Sequence, residues 1–435
     1  MRRKRNSPGR RPGGKNEQGI IITLVAVFLL AVVGAMAALS IDVVTLYTAR
    51  GEAQLAADGA ALAGARVLAN SGLTSTNGTP TPISAEPRAI AVAKQVAMNN
   101  DVGGRKLLAR EVTVGFNDSA STFATDPHVT VTVQRTDLPT FFARIWGTAQ
   151  VTVTASATAE AFNPTPVVGV TVPTPVPAVA PICVKPWLLP NRDPNVAGPI
   201  FEATTGAIID PTLVGWTPPT AAQQLQPRCT SCTGALPRPT PWHYYPGDPA
   251  DFPPPTQGLP ACTPALTTGY EESVAGCVQM AIACNGTVNI DTTAHATRNA
   301  ETANAVNCLT HATSTLDDAD QIDPMASAPP FEFLAGAGSP IAIANPALLE
   351  QDVTVSDSLV TVPVFDSTTG VRPTNPVAII GFVQLFLNPD GAATTNGGFV
   401  NMKVINLVGC GTAGATGQAI LGNGASPVAV RLISQ

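Results

Sequence analysis

Charge is scarce in this chain: Asp, Glu, Lys and Arg together make up 12% of it. Histidine is scarcer still, with four residues, and aromatics supply 5%. So few titratable groups leave little material for general acid–base chemistry. Nor can the bulk assemble a basic face. Seven cations (Arg2, Arg3, Lys4, Arg5, Arg10, Arg11, Lys15) against Glu17 give residues 1–17 a charge of +6, which leaves −12 for residues 18–435 of the chain's net −6. A mildly acidic body argues against nucleic-acid binding, which needs cations to displace counterions from phosphate. Cysteine is missing before residue 183, and no charge of either sign occurs from Gln18 to Ile41.

That uncharged run is the most informative part of the sequence. A helix rises about 1.5 Å per residue and a bilayer core is about 30 Å thick, so roughly 20 apolar residues span it. The basic flank in front stays cytoplasmic and is attracted to anionic headgroups. The expected topology is a single-pass anchor in the cell (inner) membrane, with residues 1–18 a cytoplasmic basic tail and 19–41 the transmembrane helix. Everything beyond Asp42 is then periplasmic or extracellular. Residues 42–70 continue without proline as an Ala-rich juxtamembrane helix. Small residues recur there every four positions (Ala49, Ala53, Ala57, Ala61, Ala65), a smooth stripe against which another backbone can pack closely. Gly51, Gly59 and Gly64 each weaken such a helix by about 1 kcal/mol, so it needs a packing partner. From Gly19 to Ala69 it would be about 75 Å long.

The rest reads as α+β. Residues 71–162 form a small α+β module: a Ser/Thr/Asn/Gly/Pro loop over 71–83, helical spacing over 87–99, and strands at 112–116, 129–133 and 151–155 that alternate apolar and polar for a sheet with one wet face. A short helix over 138–146 is expected to cover the dry face. Residues 163–264 hold 24 of the 41 prolines, which disfavours long regular elements and makes the run from Val172 a stiff polyproline II spacer. Disulfides rather than secondary structure are expected to order this segment. Residues 265–435 read as a Cys-containing, mostly β domain with strands at 353–365, 377–387, 399–408 and 427–433. The eight cysteines (183, 229, 232, 262, 277, 284, 308, 410) are even in number and follow the anchor, so disulfides are expected, concentrated in 183–308, with the pairing open.

Each motif with a chemical reading has a plainer one. Gly409-Cys-Gly-Thr-Ala-Gly414 spells a dinucleotide fingerprint, but no Asp or Glu follows to hold a ribose, and a glycine-rich loop is expected. Cys229-Thr-Ser-Cys232, with His243 or the Cys308/His311 pair, could ligate zinc; among so many prolines outside the cytoplasm, structural disulfides are preferred. Asp352-Val-Thr-Val-Ser356 resembles the D-x-S-x-S metal site of von Willebrand A domains, yet no buried parallel strand precedes it, and an edge strand is expected. Asp317, Asp318, Asp320 and Asp323 could gather Ca²⁺, but the glycine turn and closing glutamate of a calcium loop are missing. The histidines (128, 243, 295, 311) lie in no nucleophile motif. No catalytic, cofactor-binding or metal residue is assigned, no cofactor is expected, and the chain is read as a non-enzyme.

The segment Glu17-Gln-Gly19, the apolar span, Ala38 to Arg50, and Glu52-Ala-Gln-Leu-Ala-Ala-Asp-Gly-Ala-Ala-Leu-Ala-Gly-Ala65 resembles the TadG-like N-terminal domain (17–69) of Flp pilus-assembly, or tight adherence, proteins. Residues from Pro139-Thr-Phe-Phe-Ala-Arg to Ala161 are similar to the segment downstream of that domain in many such proteins. The resemblance implies a membrane-anchored partner of a secretion and pilus machine. Polymerising pilins are cut after a glycine and carry a glutamate at the fifth position of the product; after Gly19 that position is Leu24, so a retained anchor rather than a filament subunit is expected.

Two functions compete. In the first, the chain is an extracytoplasmic structural component of pilus assembly or adhesion. Its partners are the lipid bilayer and other pilus-assembly membrane proteins met through helix 19–69; neither nucleic acid nor a small-molecule substrate is indicated. In the alternative, a signal peptidase cuts after Ala35-Met-Ala37 and releases a secreted, disulfide-bonded adhesin or ligand-binding protein.

Overall fold

The computed structural model describes residues 15–76, 85–116, 126–165, 167, 179–196, 198–227, 242–291, 298–313, 318–367, 374–395, 397–411 and 426–434. Most of the basic tail, the 77–83 part of the first loop, the polyproline run, Cys229, Cys232, His295, Asp317 and the last three residues of the 409–414 motif lie outside them.

Helix α1 (Lys15–Asn70) is continuous through the apolar span and the Ala-rich segment. At 56 residues it is about 84 Å long. Helix α2 (Glu86–Met98) comes next, opened by proline in its first turn. Strands β1 (Val112–Phe116), β2 (His128–Pro139) and β3 (Gln150–Phe162) then form an antiparallel sheet. The pairing sets Val129, Val131 and Val133 opposite Ala159, Ala157 and Ala155, all on the dry face. The alternate residues face outward, where Thr130 and Thr158 hydroxyls lie 2.9 Å apart and those of Thr132 and Ser156 3.1 Å apart.

The Ala stripe of α1 packs on this dry face and on α2. Ala53, Ala57, Ala60, Ala61 and Ala65 are fully buried together with Ala89, Ala93 and Ala97 of α2 and Ala157 and Ala159 of β3. The partner that the helix glycines called for is thus supplied by the same chain. Methyl against methyl brings helix and sheet backbones close, and at Gly64 the approach is tightest: a Cβ there would stand 3.0 Å from Val129 Cγ1 and 3.4 Å from the Ala89 carbonyl oxygen. The helix expected over 138–146 to cover the dry face does not form. With α1 and α2 filling that face, β2 runs on through Pro139, and only Ala143–Trp146 makes a single 3₁₀ turn in the β2–β3 loop.

The larger body is built on a second sheet. Its strands are β4 (Trp187–Pro190), β5 (Gln226–Pro227), β6 (His243–Pro246), β7 (Thr287–Val288), β8 (Leu359–Phe365), β9 (Val377–Leu387) and β10 (Met402–Gly409). The order is β10-β9-β8-β4-β6-β5, with β7 paired to β9. The first half of the expected strand 353–365 is instead a two-residue edge strand, Asp352–Val353, paired with Phe333–Leu334 in a separate three-stranded sheet, and a turn follows it. β8 to β10 are buried on both faces and read as near-continuous apolar runs for that reason. The Pro-rich segment supplies three of these strands and the largest buried side chains, among them Trp187, Trp242 and Tyr244. Buried aromatics and the disulfides of Cys183 and Cys262 both hold it in place; proline tolerates this because each strand is short.

Three disulfides join described residues: Cys183–Cys277, Cys262–Cys308 and Cys284–Cys410. Two fall within 183–308, and the third fastens the end of β10. The last strand, β11 (Ala429–Ser434), leaves the large sheet and pairs with β3, giving the first sheet the order β11-β3-β2-β1. The architecture is α+β throughout.

Candidate functional site

The side chains of α1 divide the helix into two environments. From Ile20 to Val44 its large apolar residues are exposed, Leu24, Phe28, Leu30 and Val33 among them. From Ala49 on, its stripe is buried in the body. A soluble protein does not leave so long an apolar surface to water. The helix is long and apolar enough to cross a membrane.

Two residues break the exposed half. Ala38 is 7% exposed and Asp42 4%. One turn apart, they lie on the same face. The Asp42 carboxylate accepts three backbone hydrogen bonds from the β2–β3 loop: Oδ1 from Phe141 N at 2.8 Å, and Oδ2 from Phe142 N at 3.0 Å and Ala143 N at 2.7 Å. These are the free amides at the start of the 3₁₀ turn, so an acid on one element caps a turn about a hundred residues away. The loop is closed on itself by Thr140 N to the Ala149 carbonyl (3.3 Å) and Gly147 N to the Arg144 carbonyl (3.1 Å). Gly147 takes a positive φ of 96° to end the turn.

At its other end α1 is tied to the large sheet. Asn406 Nδ2 donates to the Ala69 carbonyl at 2.7 Å, and Gln384 Nε2 donates to Asn70 Oδ1 at 3.2 Å. Ser75 Oγ donates to the Leu407 carbonyl at 2.9 Å, and Asn163 Nδ2 reaches the same carbonyl at 2.9 Å. All these side chains are buried. The anchor helix is therefore bonded at its midpoint to one sheet and at its end to the other.

The residues with chemical readings are engaged locally. Asp352 pairs with Arg88, while Ser356 Oγ donates to Asp320 Oδ2 at 2.6 Å, so the D-x-S-x-S residues do not converge. Asp320 also accepts from Gly336 N at 3.0 Å, Asp323 caps Met325 N at 2.7 Å, and Asp318 accepts from Thr313. Among the described residues, Asp318, Asp320 and Asp323 each serve a separate turn. Cys308 is in its disulfide, His243 opens β6, and His311 Nε2 lies 3.0 Å from Asp357 Oδ2.

Two groupings escaped the sequence reading. Asp126, His128 and Glu160 bring their ligand atoms within 4.8 Å of one another. His128 Nε2 stands 3.2 Å from Asp126 and 3.6 Å from Glu160, and Glu160 also binds Arg431 of β11. Burial, reinforced by the Glu160 charge, raises the Asp126 carboxyl. Two acids, a guanidinium and an imidazole make a charge cluster that staples β11 to β3; as metal ligands, the acids would first have to give up those partners. Alternation in β2 hinted at His128, but Glu160 arrives only through strand register.

The second is Lys185, beside a cleft of about 280 Å³ lined by Arg66, His311, Ser356, Asp357 and the Cys183–Cys277 bridge. Lys185 is buried, and its Nζ donates to the carbonyls of Val274 (2.6 Å) and Gly276 (2.8 Å) at the end of helix α3 (Gly269–Ala275). It caps a helix C-terminus. Burial pushes it down to about 7, against the pull of Asp357. The signal was one charge in the apolar run Ile-Cys-Val-Lys-Pro-Trp-Leu-Leu.

The fold thus joins a helix long and apolar enough to cross a bilayer to an α+β body, into whose core that helix continues unbroken. Comparison adds a likeness confined to one segment: residues 21–67 match the family model described as putative Flp pilus-assembly TadE/G-like. The match covers the exposed span and most of the buried stripe, the segment that carries the resemblance in the sequence. No curated protein and no solved structure matches the chain.

Proposed function

We propose that this protein is a membrane-anchored, extracytoplasmic structural component of Flp pilus assembly or adhesion, acting as a scaffold or partner-binding protein without catalysis. The observation that carries the reading is the coincidence of the family match, 21–67, with a helix whose first half is exposed and apolar and whose second half is core. The basic residues ahead of the span favour a cytoplasmic N-terminus in the inner membrane, which puts the disulfide-bonded body in an oxidising compartment. Continuity of α1 through positions 35–42 and the grip on Asp42 favour a retained anchor over release of an adhesin by cleavage after Ala37. With the Ala stripe occupied by the chain's own sheet, contacts with other membrane proteins fall to the exposed half, 19–48. Among the described residues Asp42 and Asp323 serve as caps and Glu160 as a strand staple, uses in keeping with a non-catalytic role.

The test is an alkaline phosphatase fused after Gln435, with pili counted on cells lacking this protein and on cells carrying the fusion. Active phosphatase in the membrane fraction and pilus loss on deletion are expected. An inactive fusion, or normal pili without the protein, refutes the reading.

A further inference from the structure

The β2–β3 loop is bonded to the exposed, apolar half of α1. Asp42 binds its amides, and the covered face of the helix continues from Asp42 to Ala38 and, half-buried, to Ala35. That is about 10 Å along the axis toward the N-terminus, inside the uncharged span. The loop presents Phe141 and Ile145 outward, 60% and 71% exposed. On the helix at the same level, Leu39, Val43, Val44 and Tyr47 are exposed too. Helix and loop therefore form one apolar belt at the point where the span ends. Between Asp137 and Glu160 the only charge is Arg144, which is exposed.

We propose that residues 140–149 are a second membrane contact. Phe141 and Ile145 sit in the headgroup–acyl boundary of the leaflet that α1 leaves at Asp42, and Arg144 meets lipid phosphate. The inference rests on the anchor reading above. Its occupant is lipid because the belt is continuous with the span and because the loop carries no acid to repel anionic headgroups. An apolar side chain flanked by an arginine, with Tyr47 nearby, suits the interfacial zone, where amphipathic side chains keep one end wet. Asp42 makes the arrangement possible. It neutralises the orphan amides of the turn, which would otherwise be costly to bring toward the hydrocarbon. A single helix leaves the body free to tilt and to roll about the helix axis relative to the bilayer plane. A second contact on one side of that helix restrains both, so the body would hold one side toward the membrane.

The full-length chain in phosphatidylcholine–phosphatidylglycerol vesicles tests this. A keto amino acid placed at 145, and separately at 141, takes a nitroxide without touching the cysteines. Val33 in the span and Thr204 on the body are the reference sites. At 145 and 141 the label should lose accessibility to a water-soluble nickel chelate and gain it to oxygen, as at 33 and unlike 204. Labels at 141 and 145 that read like 204 while 33 reads lipid overturn the loop contact alone, and a protein partner becomes the alternative cover. If 33 also reads water, the anchor reading fails and the loop contact with it. Circular dichroism of each labelled chain guards against a local misfold, and the two loop sites check each other.

Discussion

Asn406, in the middle of β10, donates its side-chain amide to the carbonyl of Ala69 in the last turn of α1. The same nitrogen lies 2.5 Å from Gln384 Oε1, and Gln384 passes the network on to Asn70. A helix end has carbonyls with no partner inside the helix; here the sheet supplies it. Asn406→Leu should leave the Ala69 carbonyl and the Gln384 amide oxygen unpaired in the core. The expected loss is about 2–4 kcal/mol of stability, seen as a lower melting temperature. Membrane fractionation should stay unchanged, because the apolar half of α1 is untouched. An unaltered melt would mean that the two groups find other partners.

The glycines of α1 should respond with opposite signs. A methyl at Gly51 meets nothing within 4 Å, so Gly51→Ala should stabilise by about 0.5–1 kcal/mol through helix propensity alone. At Gly64 the same methyl would press on Val129, and Gly64→Val should destabilise by about 1–3 kcal/mol through overpacking. Chemical denaturation of both variants measures the two signs.

Cys284 and Cys410 join residues 126 apart, with Cα atoms 5.0 Å from each other. The backbone around them is already paired, Asn285 N to the Ile379 carbonyl at 3.0 Å and Cys410 N to the Ile380 carbonyl at 2.9 Å. Replacing both cysteines by alanine should therefore keep the fold in place but cost about 2–5 kcal/mol, chiefly by freeing the unfolded chain. The melt of this variant should also respond less to reductant than that of the parent.

The long helix, the sheet with one wet face and the buried strands of the second sheet were legible in the sequence because each arises from local periodicity and composition. The Ala stripe was legible as a close-packing surface, but not what packs on it, since Ala157 and Ala159 lie a hundred residues downstream. The helix expected over 138–146 failed for a related reason: its apolar residues read as cover for a sheet, whereas Phe141 and Ile145 point away from the body. Asp42 could be seen as the first charge after the span, yet its bond to Phe142 exists only in three dimensions. The Pro-rich segment was legible as a stretch without long regular elements, since its strands run to four residues at most, but not as part of the second sheet, because that pairing is made with distant strands.

Lys185 carries the pH dependence. In the unfolded chain it titrates near its ordinary 10.5, and in the folded one burial holds it down to about 7. Between those values the unfolded state binds a proton that the folded state does not, so stability rises as pH increases from 7 toward 10.5. Below 7 both states are charged, and the full cost of burying the cation is present. Lys185→Met removes the titration and also the two hydrogen bonds to the end of α3, a loss that is the same at every pH. The parent's stability relative to Lys185→Met should therefore climb with pH across this window and be flat below it. Other groups titrate here as well, tyrosines included, but they are common to both chains and cancel in the difference. Denaturant midpoints of the two proteins at pH 6, 7, 8, 9 and 10 give the curve. A difference that stays constant from pH 7 to pH 10 would show that Nζ keeps its proton against the Val274 and Gly276 carbonyls, and that its hydrogen bonds outweigh its burial.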